Sequence, residues 1–546
     1  MSEIGAQPKR SLRRRIAIRR IAMVLGLIVL VLVAIFALPM INVGRYRLRV
    51  AQSISEAIGR PVHIDNITLS MLPTPGLTLE NFVISEDPEF GSEPVMRANQ
   101  VHVTLRLSSL WRRKLEASSI SLTEPSVNLV RAEDGRWNLQ GILMHATQVD
   151  AAPTAQPKAG GKPRFPYIEA TSARVNLKLG NEKTPFSLTE AEFALWLPNP
   201  DEWRIRLEAH PSRTDTDASD TGVLRVEGTL KHADGLSQVP IDLHGVWTKA
   251  QLGETSKVLT GADAGLRGTM EWGANVKGTF AESNVQTWIK LEGLRRAEFF
   301  PEQPISAEIR CGLRATNRFL TLSDVKCEAP VDAGAVALAG RIDDVREPEK
   351  AEIQLGLRQV AADTLLNWGK VASSRVSPQW TASGTVDADL TYAAVSGWKG
   401  HLTANKLGLS AKNDEVIKDQ TVELTDATVT PVVFKGRPGL KPEISNPPGD
   451  LRRFAFTFDR LPVDLGGENP AQINGRFDSH LSLIQITGEA DAAKTRDLAA
   501  LTPLGDQIDP LLPKEGTTQL NLSCEHSSTF TCATAVAPPA RVARRR

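Results

Sequence analysis

Several chemistries are missing from this chain. No GxSxG elbow, HExxH pattern, P-loop or GxGxxG turn occurs in its 546 residues. Each of those motifs brings a nucleophile, a metal or a phosphate to a fixed backbone geometry, so their absence argues against an enzyme, a hydrolase included. Cysteine is scarce, at four residues, and there is no CxxC. The nine histidines are scattered, and His63, His102 and His244 fall singly in strand-like segments. No metal site and no cofactor is expected. An excess of charge is missing too, since the formal net charge is +1. Residues 1–20 hold seven Lys/Arg against one acid, which leaves the rest of the chain weakly acidic. Such a body gives no footing for nucleic acid.

Long apolar runs are absent with one exception. Residues 21–41 form 21 consecutive uncharged, mostly apolar residues. A bilayer core of about 30 Å takes about 20 residues at helical rise. A signal peptide's apolar core is about 7–15 residues, so the competing reading, a long cleaved leader, suits this run less well. The basic residues 1–20 flank it on the N-terminal side and set a cytoplasmic N-terminus. The expectation is a single-pass inner-membrane anchor with the bulk of the chain in the periplasm. Residues 45–58 then read as a short amphipathic helix, with Leu48, Ala51, Ser55 and Ile58 on one stripe and Val50, Ile54 and Ile58 on another. Gly59 and Pro61 end it.

From Val62 the apolar period becomes two. Val101, Val103, Leu105 and Leu107 alternate with polar residues, as do Val127 and Leu129, Val175 to Leu179, Ile205 and Leu207, Val422 and Leu424, Phe454 to Phe458, and Leu481 and Leu483. Each reads as a strand with one apolar and one polar face. Turn signals separate them at Pro73-Thr-Pro75-Gly76, Asp134-Gly135 and Ala233-Asp234-Gly235. A short echo, Gly-Thr-apolar, recurs at Gly228, Gly268, Gly278 and Gly384, with looser copies at Gly340 and Gly475. It is either a repeated structural element or chance in a glycine-rich β protein. Residues 144–164, rich in Ala, Pro and Gly, read as a linker or surface loop, and residues 533–546 as a disordered tail. The organisation is thus 1–20 basic tail, 21–41 anchor, 42–143 first β region with its leading helix, 144–164 linker, 165–532 repetitive β region, and 533–546 tail.

Cys524 and Cys532 flank a hairpin in direct opposition, so a bridge between them fits an oxidising compartment. Cys311 and Cys327 flank another near Thr316-Asn317-Arg318 but are offset, so they are either free buried thiols or a bridge that needs a bulge. Asp387 and Asp389 share one strand face, which is either a cation site or, the better reading, a solvated face, and Asp215 and Asp217 in a polar loop read the same way. Arg112-Arg113-Lys114 after Trp111 reads as a solvated turn, with lipid headgroups as the other possibility.

An ordered set of short motifs carries a resemblance. It runs Gly59-Arg60-Pro61-Val62, Leu69-Ser70, Pro73-Thr-Pro75-Gly76-Leu77-Thr-Leu79-Glu80-Asn81, Asp87-Pro88-Glu-Phe90-Gly91-Ser92-Glu93-Pro94, Pro125-Ser-Val127-Asn128-Leu129 and Asp134-Gly135-Arg136-Trp137-Asn138. Over residues 42–140 the chain resembles the N-terminal region of the AsmA family. The residues themselves read as structural, with turns at Gly76 and Gly135 and Trp137 packing on the apolar face. The resemblance implies a long, groove-shaped sheet anchored in the inner membrane, a part in outer-membrane biogenesis, and phospholipid acyl chains as the partner.

The fold class expected is therefore mainly β, with one N-terminal transmembrane helix followed by an elongated, curved antiparallel β-sheet that forms an apolar groove. Long strands with few helices leave an apolar face that must curl, pair or hold something apolar. Val101, Val103, Leu105, Leu107, Val127 and Leu129 are the groove-lining candidates. The alternative function is a scaffold whose sheet edges dock outer-membrane assembly proteins.

Overall fold

The period of two builds strands in both units, but in many of them a one-residue bulge breaks that period partway along. The computed structural model describes residues 20, 22–26, 44, 47–70, 74–106, 117–132, 136–139, 142, 166–179, 182–199, 202–231, 233, 236–345, 347, 350–373, 376–394, 397–412, 414–425, 455–478, 482–526 and 530–534. They fall into two compact units, Met1–His210 with Thr229–Asp234, and Pro211–Gly228 with Gly235–Arg546.

The first unit opens with helix α1 (Arg47–Ile58), closed by Gly59 in the left-handed region with its N–H on the Ser55 carbonyl at 2.9 Å. Its strands are β1 (Val62–His63), β2 (Asn66–Ser70), β3 (Gly76–Ile84), β4 (Met96–Leu105), β5 (Ala117–Thr123), β6 (Ser126–Arg131), β7 (Tyr167–Leu179) and β8 (Glu182–Asn199). β1 and β2 both pair with β3, then β3 with β4, and β4 with β5 and β6 in line, all antiparallel. β5 and β6 then pair in parallel with β7, and β7 antiparallel with β8. The sheet is mixed, which corrects the all-antiparallel expectation. A parallel pair needs a long connection; residues 132–166 separate β6 from β7 in sequence, and the 144–164 segment among them lies outside the described residues. The same pairing ties β7 and β8 into the first unit.

α1 lays Val50, Ala51 and Ile54 on one face of this sheet, where Ile64, Ile67, Leu79, Phe82, Ala98, Val101 and Leu122 form the core. Leu48 points away and is 73 % exposed, so the packed face combines Ala51 of one legible stripe with the half-buried Val50 and Ile54 of the other. At one level across the sheet, Asn81, Glu124, Ser172 and Glu190 each take positive φ near 50°. One inserted residue of this kind bulges a strand, bends it and flips the face that follows. Buried residues are accordingly spaced by three across Asn81, at Leu79 and Phe82, and across Ser172, at Ala170 and Ala173.

β9 (Glu202–Arg213) leads into the second unit. There follow β10 (Val223–Lys231), β11 (Pro240–Gln251), α2 (Leu252–Thr260), β12 (Leu266–Thr279), β13 (Glu282–Arg296), β14 (Ile305–Thr316), β15 (Thr321–Val331), β16 (Gly334–Ile342) and β17 (Glu352–Ala361). α3 (Ala362–Ala372), β18 (Trp380–Ala393), β19 (Gly397–Ala411) and β20 (Asp414–Thr425) continue it. From β11 to β20 every strand pairs antiparallel with the next. A five-stranded antiparallel sheet closes the unit: β21 (Ala455–Val463), β22 (Ala471–Asp478), β23 (Ser482–Asp491), β24 (Thr517–His526) and β25 (Phe530–Thr534). Between β23 and β24 lie α4 (Ala492–Ala499) and α5 (Gly505–Ile508). Val463, Ile486, Leu498, Ile508 and Leu522 form its core with Val416 and Ile417 of β20.

The same one-residue bulge recurs here at Lys249, Asp324, Gln359 and Lys406, each at a break in strand register. The break at Asp324 slips β15 by one residue and brings Cys327 opposite Cys311, where the two form a disulfide with Cα atoms 4.0 Å apart. Cys524 and Cys532 are direct cross-strand partners and are also bridged. The Gly-Thr-apolar echo has a backbone cause. A Cβ at Gly228, Gly268, Gly278, Gly340 or Gly384 would lie 2.2–2.5 Å from a carbonyl oxygen of the neighbouring strand. Gly268 and Gly384 also hold φ of +120° and +96°, which side chains other than hydrogen rarely allow.

Candidate functional site: an apolar sheet face

The family-like motifs meet in space, and what they build is a clasp. Arg60 of the first motif pairs with Asp87 of the fourth at 2.5 Å, and Arg136 of the last pairs with Glu89 at 3.2 Å. The Arg60 hydrogen bond holds the Asp87 carboxyl below the usual carboxylate range. Asn138 is fully buried: it accepts from the Val130 N–H at 3.1 Å and donates to the Asn128 carbonyl at 2.9 Å and to Glu86 at 2.6 Å. Asn128 donates to the Pro94 carbonyl at 2.8 Å and accepts from Asn176 at 3.0 Å. This polar network covers the side of β6 and β7 that carries Asn128 and Asn176, and it pins segment 86–94 to the sheet. Trp137 stands beside the Arg131 guanidinium, 5.8 Å away, and lies outside the apolar cluster in which it was expected. Asn138→Ala strands two buried backbone groups at once, so it should destabilise the first unit by about 1–3 kcal/mol. A thermal melt unchanged from wild type would contradict that role.

The groove-lining candidates separate by burial. Val101 sits in the core at 3 % exposure, between Leu79 and Leu122 on the flanking strands. Val103 is half-buried against the same cluster, between Leu77 and Ile120, and Leu105 is half-buried at the strand end. Val127 and Leu129 are half-buried and pair in parallel with Val175 and Leu177. Leu107 lies outside the described residues, as do Arg112-Arg113-Lys114, Asp134-Gly135 and the 533–546 tail except for Ala533 and Thr534.

In the second unit the two faces of the sheet differ in kind. On one face, Trp247, Trp272, Ile289 and Ile309 are successive cross-strand partners from β11 to β14. Ala329, Val336, Leu357, Ala388 and Leu402 carry the row on through β15 to β19. Beside it runs a second row, with Cys311 and Cys327 bridged and then Leu338, Leu355 and Leu390. The large apolar residues of β11 to β14 in these rows are half-buried, as are Leu338, Leu355, Leu390 and Leu402, neither sealed in a core nor fully open. A monomer rarely leaves so long a stripe of apolar side chains in water. The other face is laced with cross-strand ion pairs: Lys277–Asp242 at 3.2 Å, Arg314–Glu282 at 3.3 Å, Arg341–Glu352 at 3.1 Å and Arg358–Asp389 at 2.5 Å. Asp387 and Asp389 belong to this charged face. Asp387 accepts from the Gln359 N–H at 2.9 Å and from Asn405 at 3.1 Å, and Asp389 holds Arg358 and stands 3.7 Å from His401. His244 bonds Asn275 at 2.6 Å, and in the first unit His63 bonds Asp65 at 2.9 Å and His102 bonds Thr78 at 3.1 Å.

Helix α3 lies on the apolar face. Ala362 and Leu365 pack with Leu357, Val386, Leu402 and Ala404. Sequence reading did not separate this helix from its strands. Its signal is a weak repeat: α2, α3 and α4 follow β11, β17 and β23, each after a fully buried residue (Ala250, Val360, Ala490) and an extended N-cap.

No helix among the described residues is long and apolar enough to cross a membrane, and the apolar run 21–41, where an anchor was expected, lies largely outside them. The described part of that run leaves Met23, Val24 and Leu25 exposed. The second unit is thus a β-sheet with one charged face and one half-covered apolar face. Residues 13–176 match the model of the AsmA family, so the resemblance carried by the motifs holds over that stretch. No curated protein and no solved structure matches the chain.

Proposed function

We propose that this protein shelters lipid acyl chains on the apolar face of its second unit and serves outer-membrane biogenesis from the inner membrane. It does so as a carrier or binder, without catalysis. Residues 21–41 anchor it with residues 1–20 in the cytoplasm and the bulk in the periplasm. The observation that carries the reading is the row from Trp247 to Leu402, which runs across nine strands with its large apolar side chains half-buried and is opposed by a face of ion pairs. Acyl chains match such a surface because they bury area at about 25 cal/mol per Å² and ask for no hydrogen bonds. Two disulfides suit an oxidising compartment.

A photocrosslinking side chain tests this in cells. Placed at Ile289 or Ile309 on the apolar face, it should capture phospholipid. Placed at Lys290 or Glu308 on the charged face, it should not. Capture of protein alone from the apolar positions would favour a scaffold for outer-membrane assembly proteins.

A further inference from the structure

Near α3 the apolar face is roofed. Segment 298–304, α3 and the apolar side of β14–β16 enclose a cavity of about 940 Å³. Its floor is apolar, with Ile305, Ile309 and Val336. Its wall carries one cation, Lys370, which is only 5 % exposed. An ammonium has three donors. Lys370 gives one to the Asn367 Oδ1 at 3.1 Å, and its Nζ stands 5.4 Å over the Phe299 ring. Among the described residues no carboxylate forms an ion pair with it. Burial pushes the Lys370 ammonium down from the usual lysine range, against the pull of Asp363 and Glu302. A lysine so placed carries a desolvation cost that nothing in the fold of α3 requires.

The cavity also carries carboxylates, and most are engaged. Glu298 pairs with Arg296 at 3.0 Å, Asp332 accepts from the Thr364 hydroxyl at 2.5 Å, and Asp363 accepts from Asn367 at 2.8 Å. Glu302 has no such partner among the described residues. A simple anion would meet these acids, and a simple cation would meet Lys370. A ligand with both charges and an apolar tail satisfies all three surfaces.

We propose that this cavity binds the zwitterionic headgroup of an aminophospholipid, with phosphate oxygens at the Lys370 ammonium and the lipid ammonium at Glu302. An acyl chain then runs over Ile305 and Ile309 toward the Cys311–Cys327 bridge. This rests on the lipid-sheltering reading and adds a headgroup preference to it.

The full chain in mild detergent, incubated with vesicles of equimolar phosphatidylethanolamine and phosphatidylglycerol, tests it by quantifying the headgroups that copurify. Wild type should retain phosphatidylethanolamine about tenfold over phosphatidylglycerol. Lys370→Gln should lower bound phospholipid about tenfold, as the loss of a charged hydrogen bond does, and Lys370→Arg should restore it. Glu302→Gln, at an exposed position that folding does not need, should keep the amount of lipid and shift it toward phosphatidylglycerol. Lipid bound in the same headgroup proportions by wild type and Glu302→Gln would overturn the headgroup site and leave the lipid-sheltering reading standing. No lipid on any of the proteins would overturn both.

Discussion

Val101→Asp should abolish folding of the first unit. Val101 is 3 % exposed in the cluster beneath α1, with Leu79 and Leu122 on the neighbouring strands and no polar partner in reach. A carboxylate there loses its hydration and gains nothing in exchange. The cost, several kcal/mol, is comparable with the whole stability of a domain. Cellular protein level should collapse. Gln100→Asp, one residue earlier and exposed, should leave it near wild type. A well-folded Val101→Asp protein would mean that this face is open to water, contrary to its burial here.

The same kind of substitution in the second unit should behave in the opposite way. Leu338 lies on the apolar face between the Cys327 end of the disulfide and Leu355, and it is half-buried. In Leu338→Asp the carboxylate can reach water at the open side, so the melting temperature should move little. An acyl chain cannot lie against that charge without desolvating it, so bound lipid should fall at least about tenfold. Lys326→Asp, on the charged face of the neighbouring strand, is the control and should keep its lipid. Unchanged lipid in a folded Leu338→Asp protein would remove this face from the binding surface. Together the two substitutions separate a packed core from a sheltering face within one chain.

The strands were legible because half-buried sheets impose a period of two, and Val101 to Leu105, Val127 to Leu129 and Val175 to Leu179 all fall on observed strands. What the period hid was the bulge. A single left-handed residue, Asn81 in β3 or Ser172 in β7, changes the buried parity from Leu79 to Phe82 and from Ala170 to Ala173. Asn, Asp, Ser, Lys, Gln and Glu all occupy that position, so no single residue type announces it. The glycines opposite some bulges did leave a trace, the Gly-Thr-apolar echo, because a carbonyl approaches too closely for a Cβ. The offset of Cys311 from Cys327 was readable as a need for a bulge, and the bulge lies at Asp324.

The groove candidates show a different limit. Alternation marks which residues share a face, but it cannot say whether another element covers that face. Val101 is sealed in the cluster that also holds Ala51 of α1, whereas Ile289 and Leu338 stay half-open on equally alternating strands. The parallel pairing of β6 with β7 was also beyond local pattern, since it joins strands separated by residues 132–166. The family motifs pointed to the right region, and their residues Arg60, Asp87, Asn128 and Asn138 hold the sheet together. Lys370 escaped notice because a lysine in an amphipathic segment normally faces water, and only the packing of α3 against segment 298–304 encloses it.

The most direct measurement is mass spectrometry of organic extracts from the full chain, purified in mild detergent under conditions that strip loosely held lipid. The account predicts phospholipid at one or more molecules per chain, lost on Leu338→Asp and kept on Lys326→Asp. A folded wild-type protein that carries no phospholipid would contradict it.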